Sequence, residues 1–166
     1  PREGFGQFLC EVFDDWLKRD IGRVFVQLIE ERVNALAGLP ARLCVFASDC
    51  SSTPMLESDG SLYSCDHYAF PAYRLGNIAE RPIGDMVAGE RQRAFGRTKI
   101  DRLPQSCLRC GFVRGCYGGC PKHRMVAVPP GEFENYLCPS YRRFFVHTAA
   151  ALAPFATAVR SSGGPV

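Results

Sequence analysis

Apolar residues recur at helical spacing through residues 4–20. Phe5, Phe8, Leu9, Val12, Phe13, Trp16 and Leu17 follow the i, i+3, i+4, i+7 pattern of one buried face. Asp14, Asp15, Lys18 and Arg19 take the wet side, and Cys10 sits at the flank as an ordinary half-buried thiol. Val24–Ile29 is apolar apart from Gln27, and its periodicity fits a buried strand or a helix start equally well. Residues 30–37 read as a helix that Gly38 and Pro40 end. Residues 1–40 carry no set of ligating side chains and read as the tail of a larger upstream domain.

From Ala41 the texture changes. Two strand-like runs, Met55-Leu56-Glu57 and Leu62-Tyr63-Ser64-Cys65, flank Ser58-Asp59-Gly60-Ser61, and Asp-Gly between such runs signals a hairpin. The turn brings Cys65 to the end of the second strand. Ile83, Met86 and Val87 suggest a short helix after Pro82, a residue favoured in a first turn. Residues 103–122 are rich in cysteine, glycine and proline, with little apolar content of their own, so bound metal would supply folding energy there. A helix is expected from Glu134 to about Phe155, with Tyr141, Phe144, Phe145 and Val146 as its contacts, and residues 161–166 read as a frayed end.

Composition adds one outlier. Hydrophobic and charged contents of 46% and 22% are ordinary for a globular chain, and a net charge of +3 is too weak for a nucleic-acid footprint. No apolar run reaches the roughly eighteen residues of a membrane span. Cysteine, however, occurs 9 times in 166 residues. The count is odd and no export leader is visible, which disfavours a secreted disulfide framework. Apart from Cys10, the cysteines fall as Cys44-x5-Cys50-x14-Cys65 and Cys107-x2-Cys110-x5-Cys116-x3-Cys120-x17-Cys138. Eight thiols make two sets of four, and four complete either a tetrahedral zinc or a four-iron cluster. Only one Cys-x2-Cys pair exists, and the wide irregular gaps suit the larger cluster better than zinc. Pro121 and Pro139 follow Cys120 and Cys138, as in clustered iron–sulfur runs ending in Cys-Pro, and Gly118 and Gly119 let the main chain bend close to a cluster. Proximity groups Cys44, Cys50 and Cys65 separately from Cys107, Cys110 and Cys116. Cys120 and Cys138 are left to complete the sets in either assignment.

These residues resemble a known family. The cysteine spacing, with Tyr63-Ser64-Cys65-Asp66-His67, Leu75-Gly76-Asn77-Ile78 and Gly118-Gly119-Cys120-Pro121-Lys122, is similar to the C-terminal SPASM domain of anaerobic sulfatase-maturating enzymes, which are radical SAM formylglycine-generating enzymes. The resemblance covers residues 4 to 148. It implies an α+β fold: a small, irregular, cysteine-rich SPASM domain at 41–148, with a β-hairpin and short helices around two [4Fe–4S] clusters. Residues 1–40 would then be the remnant of a partial (β/α) barrel, and 149–166 a helix end and tail. It further implies that Cys44, Cys50, Cys65 and Cys120 hold one auxiliary cluster, that Cys107, Cys110, Cys116 and Cys138 hold the second, and that Asp66 is the catalytic base.

The implied reaction oxidises a cysteine or serine of a sulfatase to formylglycine. A radical made in the SAM-binding domain takes hydrogen from the substrate Cβ, Asp66 takes a proton, and the clusters accept an electron. A carboxylate beside an anionic cluster is expected to have a raised pKa. Two clusters of about −2 each would turn +3 into roughly −1, and Arg109, Arg114, Lys122, Arg124, Arg142 and Arg143 stand near the ligands in sequence to offset that charge. The Cys-x3-Cys-x2-Cys motif of the SAM-cleaving cluster is absent, as is most of the barrel, so SAM and a third cluster are expected in a missing N-terminal domain and these residues alone should be inactive. Ser51 stands where relatives often have glycine. Expected partners are an unfolded or nascent sulfatase peptide and a reducing donor such as flavodoxin or ferredoxin, with no nucleic acid and no membrane, in a low-oxygen cytoplasm. Two other readings stand beside this one: a SPASM module for electron transfer and peptide binding in another radical SAM protein-modifying enzyme, and a zinc-stabilised structural module.

Overall fold

A computed structural model of the chain describes residues 2–129 and 131–162. Its helices are α1 (Gly4–Arg19), α2 (Gln27–Ala37), α3 (Ile83–Val87), α4 (Glu90–Asp101), α5 (Gln105–Leu108) and α6 (Cys138–Ser162). Its strands are β1 (Met55–Leu56), β2 (Ser61–Tyr63), β3 (Arg74–Asn77), β4 (Arg124–Val128) and β5 (Glu132–Asn135). Helices beside two small antiparallel sheets give the mixed α and β content expected from the sequence. No described helix is long and apolar enough to cross a membrane. The chain divides into two compact units, Pro1–Ala47 with Pro104–Val166, and Ser48–Leu103.

In the first unit α6 packs against both α1 and α2. Phe13, Phe144 and Phe145 are each 1% exposed and form the centre of the core with Ile29, Val33 and Phe46. Ring edges meet ring faces: Phe46 lies 5.2 Å from Tyr141 and 5.7 Å from Phe145, both T-shaped. The buried stripe of α1 is Gly6, Leu9, Cys10, Phe13 and Trp16, so the helix is turned from the face expected. Phe5 and Phe8 are exposed, and Cys10 is buried rather than flanking. The cause is a close approach at Gly6. Its N–H donates to Ser140 Oγ at 2.9 Å, and a β-carbon there would lie 2.7 Å from Ser140 Cα. Val26 is extended and leads into α2, which settles the ambiguity of that run in favour of a helix starting at Gln27. Gly38 closes α2 in the left-handed conformation, as expected.

Residues 134–137 differ from expectation. Glu134 and Asn135 belong to β5, which pairs with β4, and the long helix begins only at Cys138. It then runs past Phe155 and through Pro154 to Ser162. A proline inside a helix costs about 3 kcal/mol, and burial of Leu152, Ala156 and Val159 on the face around it offsets that loss. Of the expected frayed end, Ser161 and Ser162 close α6, and 163–166 lies outside the described residues.

The second unit contains the expected Asp59-Gly60 hairpin, with Leu56 opposite Leu62. A third strand, β3, which the sequence pattern did not reveal, pairs with β2 across a bulge at Leu62/Tyr63. Leu62, Leu75 and Met86 make a small core. Helix α3 is where it was expected, with Pro82 as its cap rather than its first residue. Helix α4 was not foreseen because its buried positions are Gln92, Gly96 and Lys99, a helical stripe of non-apolar residues. Tyr68, Tyr73 and Phe95 cluster with ring centroids 4.8 to 5.7 Å apart, so both tyrosines are packing residues.

The contact at Gly6 yields a stability prediction. Gly6→Ala should lower unfolding free energy by about 1–3 kcal/mol, because backbone must move to admit the methyl. Gly84→Ala, where the space is open, should leave it unchanged or raise it by up to about 1 kcal/mol. Denaturant titration of both variants under anaerobic conditions checks the contrast.

Candidate functional site

Four cysteines of the first unit line one cavity. Cys107 comes from α5, Cys110 and Cys116 from the irregular loop after it, and Cys138 is the first residue of α6. Cys120, the fifth cysteine of this stretch, is not among the lining residues. The remaining wall mixes aromatic side chains, Phe112, Tyr141 and Phe145, with the polar Glu134, Asn135 and Arg142. No disulfide joins the four sulfurs.

Their electrostatics record the convergence. Cys107 is pushed up to about 11, first by burial and then by the charges Cys116 and Cys138 would carry as thiolates. Cys116 is raised by burial, and further by Cys138 and Cys110, while the backbone amides of Gly118 and Gly119 against its sulfur pull the other way. Cys138 is raised by burial and then by the Glu134 carboxylate, with Arg142 opposing. Burial and then Cys116 and Cys120 raise the Tyr141 hydroxyl to about 12. Mutual repulsion among ionised sulfurs is what a cation or cationic cluster core would remove. Four thiols, no carboxylate in the wall except Glu134, and amides facing sulfur form a donor set suited to soft metal or iron–sulfur ligation.

A run of left-handed backbone shapes the loop. Tyr117, Gly118 and Gly119 have φ of 45°, 69° and 63°. Successive amides in such a turn point to a common side and form an anion-binding nest. Only glycine takes these angles without cost, and Tyr117 among them stores strain. Asn135 holds the turn from behind. It is 2% exposed, and its Nδ2 donates to the carbonyls of Gly118 and Cys120, both at 3.2 Å. Its Oδ1 accepts from Leu137 N–H at 2.8 Å, just before Cys138. One side chain thus ties the loop of Cys116 and Cys120 to the start of α6.

Of the other sequence-selected cysteines, Cys44 and Cys120 belong to the first unit, and Cys50 and Cys65 to the second. Glu31, 3% exposed on α2, accepts from Arg42 N–H at 3.0 Å and Leu43 N–H at 3.2 Å, which fixes the chain entering Cys44. In the second unit Gln92, fully buried on α4, donates to Ser51 O at 2.8 Å and Ser64 O at 3.1 Å. Those carbonyls directly follow Cys50 and precede Cys65, so one amide joins both cysteine-bearing loops. Asp49 caps the first of them by accepting from Ser51 N–H at 2.6 Å and from the Ser51 hydroxyl.

Asp66 follows Cys65 on a 3₁₀ turn with its side chain 70% exposed. Its Oδ1 accepts from the Cys65 thiol at 3.1 Å and from His67 N–H at 2.8 Å. The thiol bond, foremost, holds its carboxyl below the ordinary carboxylate range. The expectation of a raised pKa is not met with a protonated Cys65, because the thiol donates. An iron-bound thiolate has no proton to give, which would remove the main cause of the lowering. Cys65, Asp66 and His67 present ligand atoms within 4.8 Å of one another.

The basic residues singled out by sequence divide. Arg142 faces Cys138 and Arg124 faces Cys107. Arg143 instead faces Cys10. Asn135, Gln92 and Arg32, which lies beside Cys116, escaped the sequence reading. A buried polar residue within a helical or strand pattern was the one available signal.

Comparison with known proteins places this geometry. The iron-sulfur cluster-binding domain model SPASM matches residues 48–111. The serine-type anaerobic sulfatase-maturating enzyme of Bacteroides thetaiotaomicron is 40% identical over 89% of this chain and 36% of its own length. That of Klebsiella pneumoniae is 36% identical over 92% of this chain and 37% of its own length. A solved structure of native anSMEcpe with bound AdoMet and Cp18Cys peptide matches with TM-score 0.80 and 26% identity, over 96% of this chain and 44% of that one. The chain carries an iron–sulfur SPASM domain and is homologous to sulfatase-maturating enzymes, spanning little more than a third of the length of those relatives.

The Asn135 clamp is open to test. Asn135→Ala removes three hydrogen bonds at once, although Cys120 O keeps His123 N–H at 3.0 Å and Gly118 O keeps Arg124 Nε at 3.5 Å, and should cost about 1–3 kcal/mol. Denaturant unfolding measures it. Asn135→Asp, which keeps the acceptor for Leu137 N–H but sets a carboxylate against the carbonyls of Gly118 and Cys120, should be no better than alanine.

Proposed function

We propose, from this chain's homology to the anaerobic sulfatase-maturating enzymes, that it is the auxiliary-cluster part of such an enzyme. The whole protein would oxidise a cysteine or serine of a sulfatase peptide to formylglycine by radical SAM chemistry. One observation carries the reading within this chain: Cys107, Cys110, Cys116 and Cys138 line a single cavity while Cys120 does not. That is the grouping the family resemblance implies, and it leaves Cys120 to join Cys44, Cys50 and Cys65 as the second ligand set. Residues 41–148 would form the SPASM domain, 1–40 the end of the barrel, and 149–166 the helix end and tail. SAM and a third cluster would belong to a preceding domain, so these residues alone would be inactive. A flavodoxin or ferredoxin would supply electrons, in a low-oxygen cytoplasm.

Bound iron–sulfur clusters would supply one-electron acceptors. The remaining chemistry falls to side chains. Asp66, exposed and ionised at neutral pH, is available to accept the proton that a substrate hydroxyl or thiol must lose. The His67 N–H fixes Oδ1, and Oδ2, with the His67 imidazole 4.0 Å away, is the oxygen that would meet substrate. Gln92, by holding Ser64 O, steadies the strand end from which Asp66 projects.

Two predictions follow from this reading. In the full-length protein prepared anaerobically, Cys138→Ala and Cys120→Ala should each remove one four-iron cluster, and not the same one. Iron analysis with EPR checks this, and a colourless zinc-loaded protein, or loss of the same signal in both variants, refutes the ligand assignment. Asp66→Asn should retain full iron content while formylglycine yield falls by about 10²–10⁴-fold, the usual worth of a positioned base. Mass spectrometry of a substrate peptide reads the yield, and an undiminished yield removes Asp66 from the mechanism.

A further inference from the structure

Arg32 is a charged residue in the wrong place for a charged residue. It lies on α2 and is only 4% exposed. Its guanidinium stacks over the Phe145 ring, with Cζ 4.2 Å from the centroid. Nη2 reaches Phe145 O at a long 3.4 Å, and Nε is buried without any hydrogen-bond partner. Among the described residues no carboxylate forms an ion pair with it. Its neighbour Glu31 engages both oxygens with the backbone of Arg42 and Leu43.

A buried cation whose Nε–H finds no acceptor and whose Nη2 makes one long bond is costly unless an anion faces it. Burial lowers the Arg32 pKa to about 10, and the group opposing that trend is Cys116. Arg32 thus remains charged at neutral pH. Both Phe145, on which it stacks, and Cys116 belong to the wall of the four-thiol cavity. The chain beside Cys116 also packs tightly on α2: a β-carbon at Gly115 would lie 3.4 Å from Arg32 Nη1 and 2.8 Å from Ala35 Cβ. Arg32 thus stands directly against the wall of the four-thiol cavity.

We propose that Arg32 is the fixed counter-charge of the cluster held by Cys107, Cys110, Cys116 and Cys138, and that it sets that cluster's readiness to take an electron. The inference rests on the ligand assignment above. A four-iron cluster with four thiolates carries about −2, and one-electron reduction adds a further negative charge. A positive charge held behind one ligand, itself buried and stacked on an aromatic ring where water screens it little, favours the reduced form. Arginine suits the position because its planar guanidinium stacks on the Phe145 ring, and a lysine facing the same anionic cluster would keep its proton too. Arg32 does not touch substrate; it is a positioning residue acting through electrostatics.

The test is an EPR-monitored redox titration with dithionite in the full-length protein, following the signal that Cys138→Ala abolishes. Arg32→Met keeps the length and removes the charge. It should lower the reduced-to-oxidised ratio at fixed potential at least about tenfold, equivalent to about 59 mV for one electron. Arg32→Lys should stay within about threefold of wild type. An unchanged midpoint in a fully loaded Arg32→Met protein overturns the proposal. Should Arg32→Met fail to hold that cluster, Arg32→Gln decides: a cluster lost or lowered in potential in the glutamine variant but kept in the lysine variant supports it. Equal loading and equal midpoints in the two overturn it. If wild type shows no signal that Cys138→Ala removes, it is the ligand assignment that has failed, and the fault is separable from any effect at Arg32.

Discussion

The packing of α6 across α1 and α2 is the constraint on which the four-thiol cavity depends. Cys138 is the first residue of that helix, and Tyr141, Phe144 and Phe145 follow one and two turns on. The same short stretch therefore supplies a cavity sulfur, a cavity wall and the centre of the core. Moving the helix moves all three together. Its seat is set by contacts with no tolerance: Gly6 against Ser140, and Phe13 edge-on to Phe144 at 6.4 Å. A long, well-buried helix can hold the Cys138 sulfur in place while those of Cys110 and Cys116 come from loop and that of Cys107 from the short α5.

The loops themselves are held by buried polar side chains, each reaching from a regular element to backbone beside a cysteine. Asn135 does this from β5, Gln92 from α4 and Glu31 from α2. Backbone in such loops has no ladder to satisfy its N–H and C=O groups, so a buried amide or carboxylate must do it. Each of these residues makes two or three such bonds, and their geometry fixes the loop more narrowly than apolar packing would. Arg32 differs from these three clamps: its hydrogen bonds do not account for its position, and its charge does.

The sequence made the apolar skeleton and the thiols legible, and left the polar clamps unread. Helix α1, the Asp59-Gly60 hairpin and α3 follow from periodicity and turn residues. The cysteine spacing pointed to metal without any structure. Helix α4 was invisible because Gln92, Gly96 and Lys99 occupy its buried face, and a hydrophobicity pattern has nothing to register there. The face of α1 was misjudged because a glycine, not a phenylalanine, makes the closest contact. The start of α6 was placed four residues early, since Glu134 and Asn135 have no local property that excludes a helix. Their membership in β5 depends on pairing with β4. Which thiols share a cavity was equally non-local: sequence proximity favours Cys120 with its neighbours, whereas Cys138 reaches the cavity by way of the helix it begins.

The raised thiol pKa values carry the last step of the argument. Cys107, Cys116 and Cys138 are each pushed upward by burial and by one another. Their thiolates are therefore disfavoured more than a free cysteine's, in part by one another. Against that the fold sets amides from a left-handed turn and an arginine behind Cys116, which favour negative charge at that spot. On the proposed ligand assignment the thiolate state is the working one. A cation core shared among the four sulfurs makes it so, because it replaces mutual repulsion with common attraction.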